Sequence, residues 1–183
     1  MAGFNWLAHD WVQRGRPPAV ITYAISTSVG TVAGGQLNRL ATVITNLGLL
    51  IVNAAGNSNT NGCQRQLNNN PAVLSVAAST WQDRLATFSC SGPCVQLAAP
   101  GDNVLGADVT SRTATQVASG TSYACPYASG FAAVLRGRNT DLTPAQTITS
   151  LLCRTTRNAL STGGRSPTNL LFAGRPGLQV SGC

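Results

Sequence analysis

Hydrophobic positions along the first third of the chain switch between two periods. Residues 3–13 carry apolar side chains at helical spacing, whereas residues 19–25 form a short and nearly continuous apolar run that predicts a buried strand. A second helical pattern covers residues 36–46, and Gly48 is a typical helix stop. Another buried strand is predicted over residues 49–54. The order is therefore helix, strand, helix, strand.

The same alternation continues toward the carboxyl end. Apolar runs predict strands over residues 73–78 and 94–98, and small residues at helical spacing predict a helix over 122–135. A last helix is expected to begin at Thr143-Pro144, with Thr143 as its cap and Pro144 in its first turn. Helices that alternate with short buried strands are typical of an α/β fold with a parallel sheet. We expect one domain over residues 1–183.

The charged residues narrow the chemistry. The chain has 12 basic and 5 acidic residues, a net charge of +7 and one histidine, and every basic residue is Arg and every acidic residue Asp. The absence of Lys and Glu excludes a Schiff-base or P-loop lysine and a Glu general acid, and one histidine excludes a three-histidine zinc site. The arginines are scattered and aromatic residues make up only 5%, so no nucleic-acid partner is expected.

Apolar runs and cysteines bear on the compartment. No run approaches the roughly 20 residues that span a membrane, and the longest, 47–52, is broken by Gly48, so no membrane partner is expected. The amino terminus lacks the basic region and continuous apolar region of a signal peptide. Six cysteines nevertheless favour an oxidising compartment. The two observations agree if an upstream segment has been lost.

Two short motifs carry candidate chemistry. Residues 52–57, VNAAGN, run from a predicted strand into a Gly-Asn turn, and residues 119–126, SGTSYACP, run from a Gly turn into a predicted helix. A serine at a helix amino terminus can attack a carbonyl while free backbone N–H groups receive the developing oxyanion. Alone, each motif is equally consistent with an ordinary structural role, Ser122 as a helix cap and Asn57 as a turn residue.

Together and in this order, the motifs resemble the subtilisin family of serine proteases. That family has A-A-G-N with an oxyanion-hole asparagine, then G-T-S-M-A-[ST]-P-H with the nucleophile. Residues 98–101, AAPG, are similar to its F-A-P-G turn, and residues 166–171, SPTNLL, to its S-P-N-R-L-L segment. The resemblance covers most of the chain and is strongest to the proteinase K and aqualysin-like branch.

The resemblance implies a three-layer αβα fold around a parallel sheet, with the N-terminal part of the domain missing. Ser122 would be the nucleophile, and the Asn57 side-chain amide and the Ser122 backbone N–H would form the oxyanion hole. Ala24-Ile25-Ser26 stands where the family has S-L-G, and Ser26 in place of glycine would crowd the wall of the first specificity pocket. The implied substrate-binding residues are Ala24, Ile25, Ser26, Ala54, Ala55 and Gly56.

Further expectations concern cysteines and calcium. Cys63 and Cys94 match positions that aqualysin-like members join in a disulfide, whereas Cys125 is expected to be packed and unreactive. Catalysis in the family requires no cofactor. Branch members bind structural calcium, for which Pro71, Val73 and Gln96 are the matching positions here. A neutral Gln96 in place of the family's aspartate should weaken such a site.

The catalytic triad is incomplete in these residues. The family's D-[ST]-G and H-G-T-H motifs, which lie upstream of the matching region, do not occur, and His9 is interpreted as an ordinary helix residue. A serine without its base is a weak nucleophile, so the chain should have little activity alone.

The preferred interpretation is the C-terminal portion of a secreted, monomeric serine endopeptidase that acts on a polypeptide substrate or meets a protein inhibitor. The alternatives are a pseudo-protease that binds peptides or an inhibitor, and a truncated gene product without a separate function.

Overall fold

The computed structural model describes residues 2–26 and 32–171, with the side chains of residues 32–34 excepted. Eleven elements occur in this part of the chain, including one short 3₁₀ helix. In chain order they are α1 (Ala2–Gln13), β1 (Val20–Tyr23), α2 (Val32–Leu47), β2 (Leu50–Ala54), a 3₁₀ turn (Gly62–Gln64), β3 (Val73–Ser79), β4 (Leu97–Pro100), β5 (Val104–Ala107), β6 (Thr115–Ala118), α3 (Thr121–Arg138) and α4 (Pro144–Cys153).

The central sheet has four parallel strands in the order β1-β2-β3-β4. Every residue of β2 and β3 is buried, which explains why their sequences are continuous apolar runs without alternation. Their side chains nevertheless alternate between two layers. Leu50, Val52 and Ala54 pack with residues of α3 and α4, whereas Ile51 packs with residues of α1 and α2. The expected α/β fold with helices on both faces of a parallel sheet is confirmed.

The observed elements also correct the predicted ones. The fourth strand is Leu97–Pro100 and not 94–98, because Cys94 is held in a disulfide and backbone pairing with β3 begins only at Leu97. The antiparallel hairpin of β5 and β6 was not predicted. Most of its residues are exposed or half-buried, so the hydrophobic pattern gave no signal there. The Thr143 cap is confirmed, with a capping box that includes Gln146.

A buried arginine connects three distant segments beneath the sheet. Arg136, near the end of α3, is only 5% exposed. Its guanidinium donates to the Ala19 carbonyl before β1, at 3.1 Å, and to the Gly48 carbonyl after α2, at 2.8 Å. Burial lowers its pKa from the ordinary value. These bonds fix the amino-terminal ends of β1 and β2 against the end of α3.

Candidate active site

The two candidate motifs meet at the carboxyl end of the central strands. The Asn57 motif continues directly from β2, and α3 begins at Thr121, so strand end and helix start face each other. The buried Gly56 N–H donates to Thr121 Oγ1 at 3.0 Å, across 65 residues of sequence. Ligand sites of parallel α/β sheets typically lie at this edge. The fold therefore places both motifs where a substrate can reach them.

Two hydrogen bonds fix the orientation of the Asn57 amide. Its Oδ1 accepts from the Thr121 backbone N–H and from Thr121 Oγ1, each at 2.8 Å. Because both bonds need an acceptor, the oxygen must face Thr121 and the NH₂ group must face away. Thr121 is 1% exposed, so water does not compete for this network.

The groups left without a partner are those that the oxyanion interpretation requires. Within the described part of the chain, neither the Ser122 N–H nor Asn57 Nδ2 has a hydrogen-bond acceptor, and Ser122 Oγ has no bond to a side chain. A Cβ on Gly120 would lie 3.0 Å from Ser122 Oγ and 3.2 Å from Asn57 Nδ2. Ser122 Oγ and the free Asn57 Nδ2 donor thus flank one small space, which only glycine leaves open.

Gly101 supports this turn from below. Its carbonyl accepts from the Gly120 N–H at 2.7 Å. A Cβ on Gly101 would lie 2.7 Å from the Ala78 side chain and 2.9 Å from the Gly120 carbonyl, which leaves no room for one. In the sequence, Gly101 is visible only as part of the AAPG motif, and Thr121 only as part of the G-T-S motif. The G-T-S motif was the available signal for Thr121, but its bond to Gly56 is a long-range contact that no local pattern shows.

The six candidate substrate-binding residues also lie at this end of the sheet. Residues 24–26 follow β1 and residues 54–56 end or follow β2, and these two strands are parallel neighbours. Ser26 Oγ lies 3.5 Å from the Ala55 carbonyl oxygen, to which it donates, and 2.8 Å from the point where a Cβ on Gly56 would stand. The Ser26 side chain therefore occupies the space between the two segments.

His9 lies far from this arrangement in the layering of the fold. It is exposed on α1, whose buried residues Phe4 and Trp11 pack with α2 on one face of the sheet, whereas α3 packs on the other face. The described residues hold no other histidine, and residues 27–31 and 172–183, outside them, contain none in the sequence. His9 and Ser122 thus belong to helices that pack on opposite faces of the sheet.

The cysteines have distinct environments. Cys63 and Cys94 are joined as expected, with their Cα atoms 5.2 Å apart, and Cys153 is also disulfide-bonded. Cys125 is fully buried, and its Sγ lies 3.4 Å from the Val52 carbonyl. Burial raises the pKa of the Cys125 thiol to about 12, so it stays protonated and inert, as a packed residue should. Cys183 lies outside the described residues.

Cys90 is the second free cysteine and lies next to the active-site turn. Its N–H donates to the Gly56 carbonyl at 2.8 Å, and its Sγ would be 3.1 Å from a Cβ on Gly56. Burial opposes ionisation of this thiol, but hydrogen bonds with Ser58 and Thr60 outweigh it and lower the pKa of Cys90 to about 7. A thiol with a lowered pKa therefore lies directly under the turn that precedes Asn57.

The calcium candidates lie at the opposite end of the sheet and do not fit a calcium ion. Val73 begins β3, and Pro71 precedes it on the surface. Gln96 Nε2 donates to the Val73 carbonyl at 3.1 Å, so an N–H group already faces the oxygen that would bind the cation. Across residues 2–26 and 32–171 there is no group of three His, Cys, Asp or Glu side chains able to hold a metal. Calcium takes six to eight oxygen ligands, which this arrangement does not offer.

Comparison with known proteins identifies the family of the chain. The sequence profile of the Subtilase family, Peptidase S8, matches residues 16–174. The chain belongs to the subtilase family. It is 36% identical over 172 residues to the extracellular serine proteinase of Thermus sp. strain Rt41A, covering 94% of this chain and 40% of that protein. It is 33% identical over 172 residues to alkaline protease 1 of Aspergillus clavatus, covering 94% of this chain and 42% of that one. This subtilase therefore spans about two fifths of the length of the curated relatives it matches.

A solved structure gives the same result for the fold. The crystal structure of a cold-adapted subtilisin-like serine proteinase superposes with a TM-score of 0.84 at 28% identity, over 95% of this chain and 60% of that one. Among the helices of this subtilase that the structure describes, none is both long and apolar enough to cross a bilayer.

Proposed function

We propose that this subtilase chain supplies the nucleophile and the oxyanion hole of a serine endopeptidase. The observation that carries the proposal is the Asn57 amide, which Thr121 turns so that its free Nδ2 lies beside Ser122 Oγ across Gly120. In the reaction Ser122 Oγ bonds to the scissile carbonyl carbon and loses its proton to a base. The oxyanion is held by Asn57 Nδ2 and the Ser122 N–H. The C–N bond then breaks, the amine leaves with a proton, and water later hydrolyses the acyl-enzyme.

The polypeptide substrate would lie between residues 24–26 and 54–56. Both segments continue from parallel strands toward Ser122. Residues 24–26 are exposed or half-buried and can pair their backbone groups with an extended peptide. Residues 54–56 are buried, with the N–H groups of Ala55 and Gly56 already bonded within the protein, and would form a wall of the site. Ser26 narrows the space between them, because its Oγ contacts the Ala55 carbonyl. We expect the site to prefer substrates with a small side chain at the position that enters this space.

The base must come from a residue outside these 183, because His9 lies on the other face of the sheet. The isolated chain should therefore react very slowly at Ser122. A fluorophosphonate probe, read by intact mass, should label it only in traces over hours, with Ser122→Ala as the control. Rapid stoichiometric labelling that Ser122→Ala abolishes would show that the chain contains its own base.

A gain-of-function experiment tests the proposal directly. The part of the Thermus proteinase that carries D-[ST]-G and H-G-T-H would be fused before residue 2 of this chain, and hydrolysis of a chromogenic peptide measured. We expect turnover that disappears in the Ser122→Ala fusion. A fusion that unfolds cooperatively on heating, and so is folded, but does not hydrolyse any of a set of peptides would refute the enzyme function.

A peptide-binding pseudo-protease is the second candidate, and Ser26 is the observation that favours it. The Ser26 hydroxyl obstructs a side chain that would enter between the two segments, without preventing a peptide from lying along residues 24–26. In that case the fusion would bind a peptide aldehyde without turnover, and Ser26→Gly would restore hydrolysis. The Asn57 NH₂ group and the Ser122 N–H, which have no acceptor among the described residues, favour the enzyme interpretation.

We further propose that the chain functions outside the cell as a monomer and needs no cofactor for catalysis. The name of the Thermus relative describes an extracellular protein, and the Cys63–Cys94 disulfide suits an oxidising compartment. Peptide mapping without reduction of the protein from its native source should find these two cysteines linked. Recovery of both as free thiols would argue against export.

A further inference from the structure

Gln96 makes two side-chain bonds to one strand. It lies just before β4, is half-buried, and reaches the amino-terminal end of β3. Its Oε1 accepts from the Ser75 N–H at 2.7 Å, its Nε2 donates to the Val73 carbonyl at 3.1 Å, and its own backbone N–H donates to the Ser75 carbonyl at 3.2 Å. One residue thus satisfies three backbone groups of Val73 and Ser75, which lie on one edge of β3.

These bonds extend the sheet where the backbone ladder stops. Backbone pairing between β3 and β4 begins at Val76 and Leu97, so Ser75 N–H and Val73 C=O have no partner strand. A side-chain amide carries one donor group and one acceptor in the same spacing as a peptide bond, and Gln96 uses both as a peptide group would. Since Ser75 and Val73 are fully buried, leaving their backbone groups unpaired would be costly.

The same bonds determine how this end of the sheet treats a cation. A cation that bound the Val73 carbonyl would have to displace the Gln96 NH₂ group, which presents a partial positive charge to that oxygen. Gln96 brings no formal charge in return, and Pro71, the other candidate ligand, is exposed. The amide and a metal ion are therefore alternative ways to hold the same oxygen.

We propose that the Gln96 amide takes the place of a bound calcium ion as the clamp on the amino-terminal end of β3, which makes the stability of this subtilase independent of calcium. The proposal concerns folding and does not depend on the catalytic role of Ser122. The proposal has three parts. The stability of the wild-type protein does not depend on calcium, and it does depend on the Gln96 amide. A carboxylate at position 96 would make the stability depend on a cation.

Thermal unfolding of the full chain, followed by circular dichroism, tests all three parts. With millimolar calcium chloride or with EDTA, the wild-type melting temperature should be the same. Gln96→Leu should melt roughly 5 °C lower in both, because Ser75 N–H and Val73 C=O lose their partners. Gln96→Asp should melt lower in EDTA and recover in calcium. Gln116→Asp, which adds the same charge on the exposed strand β6, is the matched control, and its melting temperature should be the same in calcium chloride and in EDTA.

Three results would overturn the proposal. A wild-type melting temperature that rises with calcium would show that a cation still binds and stabilises the chain. A Gln96→Leu protein as stable as the wild type would show that the amide is not a clamp. A Gln96→Asp protein that melts equally low with calcium and with EDTA would show that a cation cannot replace the amide there. If Gln96→Asp does not fold, the other two measurements still decide.

Discussion

The two ends of the parallel sheet use side-chain amides in opposite ways. At the carboxyl end, the Asn57 side-chain oxygen accepts two hydrogen bonds from Thr121, and its NH₂ group stays free beside Ser122. At the amino end, both the side-chain oxygen and the NH₂ group of Gln96 are hydrogen-bonded to the backbone of β3. Asn57 is exposed, whereas Gln96 holds groups that are fully buried.

The difference shows where function can be placed in such a fold. An N–H donor without a protein acceptor is costly in the interior but costs little at an exposed edge, where water can accept its hydrogen bond until a substrate binds. The carboxyl end therefore combines a fixed Asn57 oxygen with a free NH₂ donor, whereas at the amino end both polar groups of the Gln96 amide are bonded to the backbone of β3. We expect substitutions at the two ends to separate reactivity from stability.

The largest expected effect is on catalysis at the carboxyl end. In the fusion with the Thermus segment, Asn57→Ala should lower kcat by about 10²–10³-fold, the range known for this donor from subtilisin itself, because the oxyanion loses one of its two donors. The free energy of unfolding should fall by only about 1 kcal/mol, since the residue is exposed.

Gln96→Leu should give the reverse result in the same fusion, with a lower melting temperature and an unchanged kcat. Steady-state kinetics and thermal unfolding on both variants check this pair. If both variants lose activity and stability in parallel, the two ends are not functionally distinct.

Thr121 allows the anchor to be tested apart from the donor. Thr121→Val keeps the shape but removes the hydroxyl that accepts from the buried Gly56 N–H, so the free energy of unfolding should fall by about 1–3 kcal/mol. Thr121→Ser keeps the hydroxyl and should cost about 1 kcal/mol for the lost methyl group. Urea unfolding measures both. Equal losses in the two variants would mean that the hydroxyl network does not hold the turn.

A smaller effect concerns pH, because the thiol of Cys90, whose pKa is lowered, lies beneath the carboxyl end. The pKa of Cys90 is lowered from 9.0 to about 7 in the folded protein. Between these values the unfolded chain holds a proton that the folded chain has released. The free energy of unfolding of the wild type should therefore rise relative to Cys90→Ala as pH increases from 7 to 9.

This contribution of Cys90 is lost as pH falls through 7. Urea unfolding of both proteins at a series of pH values, without reductant, measures the difference, and Cys125 cancels because both proteins contain it. A difference that stays flat or falls over this range would show that the folded thiol is not depressed.

The smallest expected effect is that of His9, which belongs to neither end. His9→Ala should leave the slow fluorophosphonate labelling of Ser122 unchanged and alter the free energy of unfolding by less than about 0.5 kcal/mol. Intact mass and urea unfolding give both values. Loss of labelling in His9→Ala would assign this residue to the site despite its place on the other face of the sheet.

Local sequence signals predicted most of the fold and drew attention to the two motifs of the candidate site, for identifiable reasons. The burial of β2 and β3 on both faces leaves apolar runs that can be recognised without a structure, and Thr143-Pro144 marks the start of α4. The motifs around Asn57 and Ser122 are short and contiguous. What sequence could not show depends on partners far along the chain.

Two residues illustrate this limit. Thr121 gains its role only because Gly56 lies against it, 65 residues away in sequence. The residue type of Gln96 predicts a weakened metal ligand, because its side chain offers one neutral oxygen. Nothing in the local sequence indicates that its amide bonds to Val73 and Ser75, which lie 23 and 21 residues earlier. In both cases the chemistry of the side chain was known, and its partner was not.

The buried Arg136 has a consequence for the order in which the chain folds. Its two acceptors, the carbonyls of Ala19 and Gly48, are 117 and 88 residues earlier in the chain. Closing loops of that length is slow and entropically unfavourable until other contacts have formed. During synthesis from the amino terminus, both carbonyls must wait until α3 has been made. We therefore expect these bonds to form late, so that the amino-terminal ends of β1 and β2 are fixed against α3 only after the strands have paired.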